Sequence, residues 1–312
     1  MTAESSEKQP DLRERAYAAF DDSKLGQARE LFEALLAIEP DDPNLHYMAG
    51  LACKYLRDWS ACLAHNSRSL ALRSELDEAS VWNAGIAATA LADHDQARRL
   101  WQQVGIKLPG EHGPVEGNFG HCSIRLNAWD EGETLFAQRI DVVRAKLLNV
   151  PLPESGYRCG DIVLHDGAST GRRRWGSSEV FVFNALQRLQ QSEFATYAAF
   201  CICPEAADAE ALAQAEHAEV AEVEDWTDSL RQYCLRCSYG TPHAHRDESS
   251  GSNWRTQRSF GIAARSRAAA ESLLERWCAA GRGREVESLE QRDYPIPELQ
   301  DGIGWWASPD DN

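Results

Sequence analysis

The amino-acid sequence predicts an α+β protein of two domains, with an all-α N-terminal part and a β-rich C-terminal part. The first observation is a repeat of about 34 residues that runs through the N-terminal third. The second is the glycine-rich stretch GEHGPVEGNFG at residues 110–120, where the helical periodicity stops. The third is a series of short apolar runs after it, separated by turn residues as strands are. A chain of 312 residues is long enough for two domains of ordinary size.

Three columns of residues share one period in the N-terminal third. Their members are 34 or 35 residues apart and are Ala16, Gly50 and Gly85; Ala28, Cys62 and Ala97; and Phe32, Asn66 and Trp101. We expect the small residues where two helices cross closely, and we expect the third column to fill the gap between units. Apolar residues at three- and four-residue spacing over 24–40 and 93–109 predict amphipathic helices. The pattern therefore predicts three helical hairpins.

Residues 9–110 resemble the tetratricopeptide repeat (TPR) family, whose period is about 34 residues. The second unit departs from the family pattern, with Asn66 in place of a large apolar residue and Ser74 in place of proline. The resemblance implies that the first helix of each unit lines a concave groove that takes up a peptide or a protein surface. By repeat phase, the groove residues would be Arg13, Tyr17, Phe20, Asn44, Tyr47, Lys54, Trp82 and Ile86. Because no capping helix follows Pro109, we expect the last repeat to dock onto the β-rich half.

The β-rich half divides into two predicted parts. Residues 121–190 contain five short runs with strand character and predict a small antiparallel β region, either a sheet or a barrel. Residues 191–312 then run strand, helix, strand twice over, with ATYAAFCI (195–202) and RSFGIAAR (258–265) as the opening strands. This order predicts a split βαβ sandwich of the ferredoxin-like type, with its helices on one face of a four-stranded sheet. The segment NVPLPESGYRCGDIVLHDG (149–167) is similar to uncharacterised bacterial domains, and that similarity implies no activity.

The connection between the two strand–helix–strand units carries a candidate metal site. Cys234 and Cys237 have the spacing of a metal-binding knuckle, and His243 and His245 would project to one side of an extended segment. Thiolate and imidazole are ligands that zinc prefers, so the pattern predicts one structural zinc ion. Two alternatives stay open: a redox-active cysteine pair, and half-buried cysteines beside solvated histidines.

Other conspicuous residues favour structural roles. His165 and Asp166 are adjacent, so on a strand they would face opposite ways, and Asp-Gly is common in turns. The basic run RRRW at 172–175 is typical of an exposed hairpin tip, although arginines beside an aromatic can also grip a carboxylate-bearing partner. We expect Trp305 and Trp306 to pin the C-terminal tail onto the fold. The sequence contains no nucleophile elbow, phosphate loop or paired-glycine nucleotide fingerprint.

The net charge limits the kinds of partner that the chain can bind. The chain has 32 Lys and Arg against 49 Asp and Glu, and a formal net charge of −17 would repel nucleic acid and anionic lipid. We therefore expect no nucleic acid and no membrane as partners, and the polar start MTAESSEKQP, which shows no secretory signal, favours a cytoplasmic protein. The similarity of 149–167 to bacterial domains implies a bacterial one. The leading interpretation is an adaptor that binds a partner protein in the repeat groove, and that neutralises or regulates it. The alternative is an enzyme with an active site in the C-terminal half, near the Cys/His cluster.

Overall fold

The computed structural model describes residues 3–130, 132–229 and 254–306. Its N-terminal part is a stack of three helical hairpins, which confirms the all-α repeat region. The helices are α1 (Ala3–Asp21), α2 (Leu25–Leu36), α3 (Pro43–Tyr55), α4 (Trp59–Leu72), α5 (Glu78–Ala90) and α6 (His94–Gln103). A search of the described residues finds no helix with the length and apolar character that crossing a membrane requires.

The turn inside each hairpin repeats one backbone geometry. In each unit one turn residue has a left-handed φ of 56–63°, and these residues are Ser23, Arg57 and Ala92. The next residue begins the second helix of the hairpin. Asp58 and Asp93 hold this position in the second and third units, and each accepts a hydrogen bond from the backbone N–H three residues on. Lys24 holds it in the first unit and makes no side-chain cap.

The small residues of the first column lie where paired helices cross. A Cβ atom added at Gly50 would overlap the Asn66 amide, and one added at Gly85 would overlap the Trp101 ring. In the first unit the equivalent residues, Ala16 and Phe32, share one buried cluster. The first and third columns therefore meet between the helices of each hairpin, which is the contact that the period predicts.

Five strands form a closed barrel after the helices. They are β1 (His121–Leu126), β2 (Glu133–Arg139), β3 (Arg144–Leu147), β4 (Ile162–Trp175) and β5 (Ser178–Gln190). Strands that follow one another along the chain pair antiparallel, whereas β1 and β5 close the ring as a parallel pair. The small antiparallel sheet or barrel predicted for 121–190 has four antiparallel pairs and, at its closure, one parallel pair. In an up-and-down run of five strands the first and last point the same way, so closure makes them parallel.

In the described part of the chain, a four-stranded sheet and three helices follow the barrel. They are β6 (Ala195–Ile202), α7 (Ala206–Ala213), β7 (Val220–Asp225), α8 (Trp226–Ser229), β8 (Gln257–Ala264), α9 (Arg267–Ala279) and β9 (Glu285–Gln291). The strand order is β7-β8-β6-β9, and the three neighbouring pairs are antiparallel. Leu212 of α7 and Leu273 of α9 share one core with one face of the sheet. On the other face, Ala198 and Ala263 pack with Val150 of the barrel.

The glycine-rich stretch after α6 is pinned in place. Arg98 on α6 is buried, and its guanidinium donates to the main-chain carbonyls of Pro109, Gly110, Gly113 and Pro114.

Leu164 of β4 and Leu186 of β5 share one core with the helical stack. The last repeat therefore packs near the barrel, as predicted, and the inner faces of α3 and α5 do so as well.

The chain after β9 forms a strap, residues 293–306, that runs back to the first repeat. Near its start, Trp129 of the barrel donates its indole N–H to the Pro297 carbonyl, with the two atoms 3.3 Å apart. Further on, the Asp301 carboxylate accepts a hydrogen bond of 2.9 Å from the Leu25 backbone N–H at the start of α2. Trp305, the last residue but one of the strap, is buried in the core shared by the helices and the barrel.

Candidate functional site

The candidate site is the inner face of the helical stack, where the sequence places the groove. The first helices of the second and third hairpins, α3 and α5, present Tyr47, Lys54, Trp82 and Ile86 on this face. Strand β4 of the barrel lies opposite them, so the face is not a free concave surface. Each of these four side chains belongs to the seam between the stack and the barrel.

A bulge in β4 forms the barrel side of the site. His165 pairs with Ala185 and Ser169 pairs with Phe183, so β4 advances four residues where β5 advances two. The extra residues lie within 166–168, and they face α3 and α5. The Asp-Gly pair that the sequence assigns to a turn is therefore part of this bulge.

A buried ion pair joins the two sides. Lys54 Nζ lies 3.1 and 3.2 Å from the two carboxylate oxygens of Asp166, and the side chains are only 4% and 6% exposed. Burial alone would lower the pKa of Lys54, but the charge of Asp166 and the contact with Tyr55 raise it above its ordinary value. Lys54 is therefore a cation at neutral pH, and Asp166 already neutralises it. It does not offer a free charge to a partner's carboxylate.

The strap fills the part of the groove between α1 and α3. The Tyr55 ring stacks on Trp306, with centroids 4.6 Å apart and planes 13° apart, and it meets Trp305 edge-on at 5.4 Å. Phe20 of α1 lies 5.8 Å from Trp306 on the other side. Asn184 of β5 donates to the Trp305 carbonyl at 3.0 Å. The two tryptophans thus pin the tail, as predicted, and they do so inside the predicted groove.

Trp82 and Ile86 both take part in the packing between the stack and the barrel. A Cβ atom at Gly167 would lie 2.6 Å from the Trp82 ring, so glycine allows the β4 backbone to lie directly against the indole. Trp82 also packs against Trp101, with ring centroids 5.1 Å apart. Ile86 is 1% exposed and belongs to the same core.

A cleft remains between α3, α5 and the β4 bulge. Its volume is about 350 Å³, and its walls are Tyr47, Leu51, Lys54, Tyr55, Ala79, Trp82, Asn83, Ile86, Asp166, Gly167 and Ala168. Tyr47 and Trp82 are half-buried, whereas Ala79 and Ala168 are exposed. Burial raises the pKa of Tyr47, so its phenol stays neutral and can both donate and accept a hydrogen bond.

The other predicted groove residues make contacts away from this cleft. Arg13 forms ion pairs with two carboxylates that follow α2 in the chain. The Tyr17 ring packs edge-on against Phe32, with centroids 5.3 Å apart. The Asn44 side-chain oxygen accepts a hydrogen bond from Arg73. The continuous open groove is therefore corrected: the strap fills one stretch and β4 covers another. The physical reason is that an apolar inner face gains stability when the chain's own apolar residues cover it.

Sequence reasoning missed two residues that shape the cleft. Tyr55 follows Lys54 directly, and its aromatic ring at the end of α3 was the available signal. Asp166 was noticed only beside His165, because no local spacing links it to Lys54, which is 112 residues away. The contact depends on how the barrel docks, which short-range patterns do not report.

The predicted zinc ligands Cys234, Cys237, His243 and His245 lie outside the described residues. The site therefore stays a prediction. Among the residues that the structure does describe, no group of three or more His, Cys, Asp and Glu side chains is placed to hold a metal ion. The seven described cysteines are free thiols, and these are Cys53, Cys62, Cys122, Cys159, Cys201, Cys203 and Cys278.

His165 and Asp166 face opposite sides of β4, as strand alternation predicts. The His165 ring stacks on Phe183, with centroids 4.7 Å apart, and its Nδ1 lies 2.7 Å from the Asp166 carbonyl oxygen. Burial lowers the pKa of His165 to about 4, so the imidazole is neutral at physiological pH. The two side chains do not form an acid–base pair.

The basic run lies on the hairpin between β4 and β5. Arg172 is exposed and lies 3.7 Å from Glu179, whereas Arg173 donates to the main-chain carbonyl of Thr134. The Trp175 ring stacks on His121 with centroids 4.7 Å apart. These contacts account for the run within the hairpin and the strands beside it.

Comparison with family models and with curated proteins gave no match. Solved structures similar to part of the chain include "First TPR of Spaghetti (RPAP3) bound to HSP90 peptide SRMEEVD", at 20% identity and a TM-score of 0.29, covering 32% of this chain and 78% of that one. The "CopN-Scc3 complex" gives 20% identity and a TM-score of 0.30, covering 33% and 62%. A hypothetical protein from Neisseria gonorrhoeae gives 11% identity and a TM-score of 0.22, covering 59% and 98%. At these scores none of the three carries an argument about partner or activity.

Proposed function

We propose that this chain is a protein-interaction module that binds a peptide segment of a partner protein in the cleft between α3, α5 and the β4 bulge. The observation that carries the proposal is the cleft itself, with half-buried Tyr47 and Trp82 on its walls and exposed Ala79 and Ala168 at its rim. Aromatic anchors in a concave site are typical of the residues that supply most binding energy at interfaces. A volume of about 350 Å³ suits a few side chains of a peptide.

The charges in and around the cleft favour a basic segment. Lys54 is neutralised by Asp166, and Arg13 by its own carboxylate partners, so neither presents a free cation to an acidic peptide. The formal net charge of −17 attracts a cationic partner and speeds its association. A lysine or arginine side chain can also lie over the Tyr47 or Trp82 ring as a cation–π contact.

A partner held in this way would be neutralised or regulated by occupancy of one of its basic segments. The stack, the barrel and the strap are packed together, so the cleft has fixed walls before binding. A preformed site loses less conformational entropy when it binds, which favours affinity. We therefore propose regulation by binding, with no chemical step performed by the described residues.

The test uses the full chain as bait in lysate from its native cell, followed by mass spectrometry of the retained proteins. Ala168→Arg places a long cationic side chain at the exposed rim, where it blocks the cleft and repels a basic segment. Ala18→Arg is the matched control, because Ala18 is an exposed alanine on α1 away from the cleft. We expect one partner to be retained by the wild type and the control, and lost from Ala168→Arg.

A purified complex then gives the affinity. We expect Tyr47→Ala to weaken binding by about tenfold or more, which corresponds to about 1.4 kcal/mol. Far-UV circular dichroism confirms that each variant keeps its fold. Equal retention of the partner by the wild type, Ala168→Arg and Tyr47→Ala would show that binding occurs elsewhere, and the cleft proposal would be rejected.

Four finer assignments belong with this proposal. We propose that the helical stack is a TPR domain, on the strength of its period and its repeated turn geometry. We propose that the C-terminal sheet is a split βαβ sandwich of the ferredoxin-like type, which its strand order supports. We propose a structural zinc at Cys234, Cys237, His243 and His245. The free thiols of the described cysteines support a reducing, cytoplasmic setting.

A further inference from the structure

Two histidines from the paired helices of the second hairpin meet side by side. His46 lies on α3 and His65 on α4, and their Nδ1 atoms are 3.1 Å apart. The ring centroids are 5.4 Å apart and the ring planes are 42° apart. Both residues are half-buried, so solvent reaches the pair.

A backbone carbonyl fixes the tautomer of the first ring. His46 Nε2 lies 3.0 Å from the Pro40 carbonyl oxygen, which can only accept a hydrogen bond. Nε2 of His46 therefore carries the proton, and its Nδ1 keeps a lone pair that faces His65. This is the arrangement of metal-bound histidines, in which the nitrogen that does not bind the metal donates to a carbonyl or a carboxylate.

The spacing of the two nitrogens fits a shared metal ion. Zinc–nitrogen bonds of about 2.0–2.1 Å, meeting at roughly 95–110°, separate two ligand atoms by about 3.0–3.4 Å. Metal binding requires the proton of His65 to be on Nε2, and it requires the Nδ1 lone pairs of the two rings to point at the same ion. Imidazole is a preferred ligand of Zn²⁺, Cu²⁺ and Ni²⁺.

We infer that His46 and His65 form a two-imidazole site for a divalent transition-metal ion, with Zn²⁺ as the ion to test, which links α3 to α4. Water completes the coordination, since the described residues place no cluster of three or more metal-ligating side chains together. The Glu33 carboxylate near His65 is held by Arg29 at 2.8 Å. This site is separate from the predicted Cys/His cluster, and it does not depend on the proposed function.

Metal binding here would stabilise the unit that departs most from the repeat pattern. The second hairpin buries Asn66 between its helices, where the family pattern has a large apolar residue. A metal bound to one residue of α3 and one of α4 would hold the two helices together and thereby add stability to the folded state. The same unit carries Tyr47 and Lys54, so its rigidity also fixes one wall of the cleft.

The experiment measures thermal unfolding of the full chain with and without ZnCl₂. The chain carries Cys234→Ser and Cys237→Ser, so that zinc bound at the other predicted site does not dominate. We expect an excess of Zn²⁺ over its dissociation constant to raise the unfolding midpoint by about 2 °C or more, and we expect Mg²⁺ to have no effect. Isothermal titration calorimetry on the same protein gives the stoichiometry.

Substitution of each histidine tests whether the Zn²⁺-dependent shift of the unfolding midpoint arises at this pair. We expect His46→Gln and His65→Gln each to abolish the Zn²⁺-dependent shift, whereas His112→Gln, at an exposed histidine, keeps it. If either ligand variant fails to fold, the other variant and the calorimetry on unaltered histidines still decide. No Zn²⁺-dependent shift with both histidines present, or a shift that persists in His65→Gln, would overturn the inference and leave a hydrogen-bonded histidine pair only.

Discussion

A lysine and an aspartate from opposite halves of the chain meet in the interior, where little of either side chain reaches solvent. Lys54 and Asp166 are both almost fully buried, and their contact is the main polar link between α3 and the β4 bulge. Desolvation makes such a pair a weak source of net stability, but removal of one partner leaves a buried charge without compensation. The pair therefore acts as a constraint on how the stack docks.

This constraint predicts strong coupling between two substitutions. Lys54→Met leaves the Asp166 carboxylate buried and unpaired, and we expect the free energy of unfolding to fall by about 3–5 kcal/mol. Adding Asp166→Asn removes the orphaned charge, so the double variant should lose at least about 1 kcal/mol less than the two single variants added together. Urea unfolding followed by circular dichroism measures the four proteins. Additive losses would show that the two charges do not interact.

Single-residue features were predictable from sequence only where they are local. Strand alternation correctly separated His165 from Asp166, because it requires no knowledge of distant residues. The partner of Asp166 was not predictable, since it depends on a bulge and on the docking of two units. Lys54 was likewise placed on the right helix face, but the repeat phase does not tell whether that face meets solvent, a partner or the chain itself.

At the scale of helices and strands, the repeat period carries most of the predictable information. Six helices and three equivalent turns follow from it, because helix crossing requires small residues at fixed intervals within each hairpin. Five strand segments were also visible as short apolar runs. The pairing of β1 with β5 was not, because closure of a ring depends on strand number and twist.

The N-terminus of α2 is capped by a residue from outside the repeat region. Asp58 and Asp93 cap the second helices of the later hairpins, but Lys24 stands at the equivalent position of the first. Asp301 of the strap accepts a hydrogen bond from the Leu25 backbone N–H instead. Lys24 has φ and ψ of −85° and 68°, close to the −82° and 81° of Asp58, so the backbone there could hold an aspartate cap.

A pair of substitutions tests this transfer of the cap. Asp301→Ala leaves the start of α2 uncapped, and we expect the free energy of unfolding to fall by about 1 kcal/mol. Lys24→Asp in the same chain restores a cap from the repeat's own position, so the double variant should recover most of the loss. Thermal and urea unfolding compare the two with the wild type. If Lys24→Asp gives no recovery, Asp301 stabilises the protein by another route, such as anchoring the strap.

At the scale of the whole molecule, the chain folds back on itself in a way that the sequence does not report. The strap crosses from the last strand to the first repeat, and its contacts span up to 276 residues. The sequence correctly indicated that Trp305 and Trp306 are pinned, because two indoles in water are unfavourable. The sequence does not predict the place where they are held, which is inside the predicted groove. Because they occupy it, only a smaller cleft remains open.

The seam between the barrel and the C-terminal sheet contains two half-buried carboxylates. Glu133 of β2 accepts hydrogen bonds from the Leu152 backbone N–H at 3.0 and 3.2 Å, and Glu224 of β7 accepts one from Val150 N–H at 3.0 Å. Burial, together with the nearby charge of Glu224, raises the pKa of Glu133 to about 8. Burial likewise raises the pKa of Glu224. The folded protein therefore favours the protonated form of Glu133 at neutral pH, and it shifts the pKa of Glu224 in the same direction.

The raised pKa sets the direction of a pH effect on stability. In the unfolded chain Glu133 ionises near 4.5, whereas in the folded chain it holds its proton up to about pH 8, so folding is penalised increasingly between these values. Glu133→Gln mimics the protonated form and keeps an oxygen for the Leu152 N–H. We expect it to raise the unfolding midpoint at pH 9 clearly more than at pH 5, whereas Glu219→Gln, at an exposed carboxylate, should change little at either pH. An equal effect of Glu133→Gln at both pH values would mean that the seam holds the carboxylate ionised, and that water or a cation solvates it there.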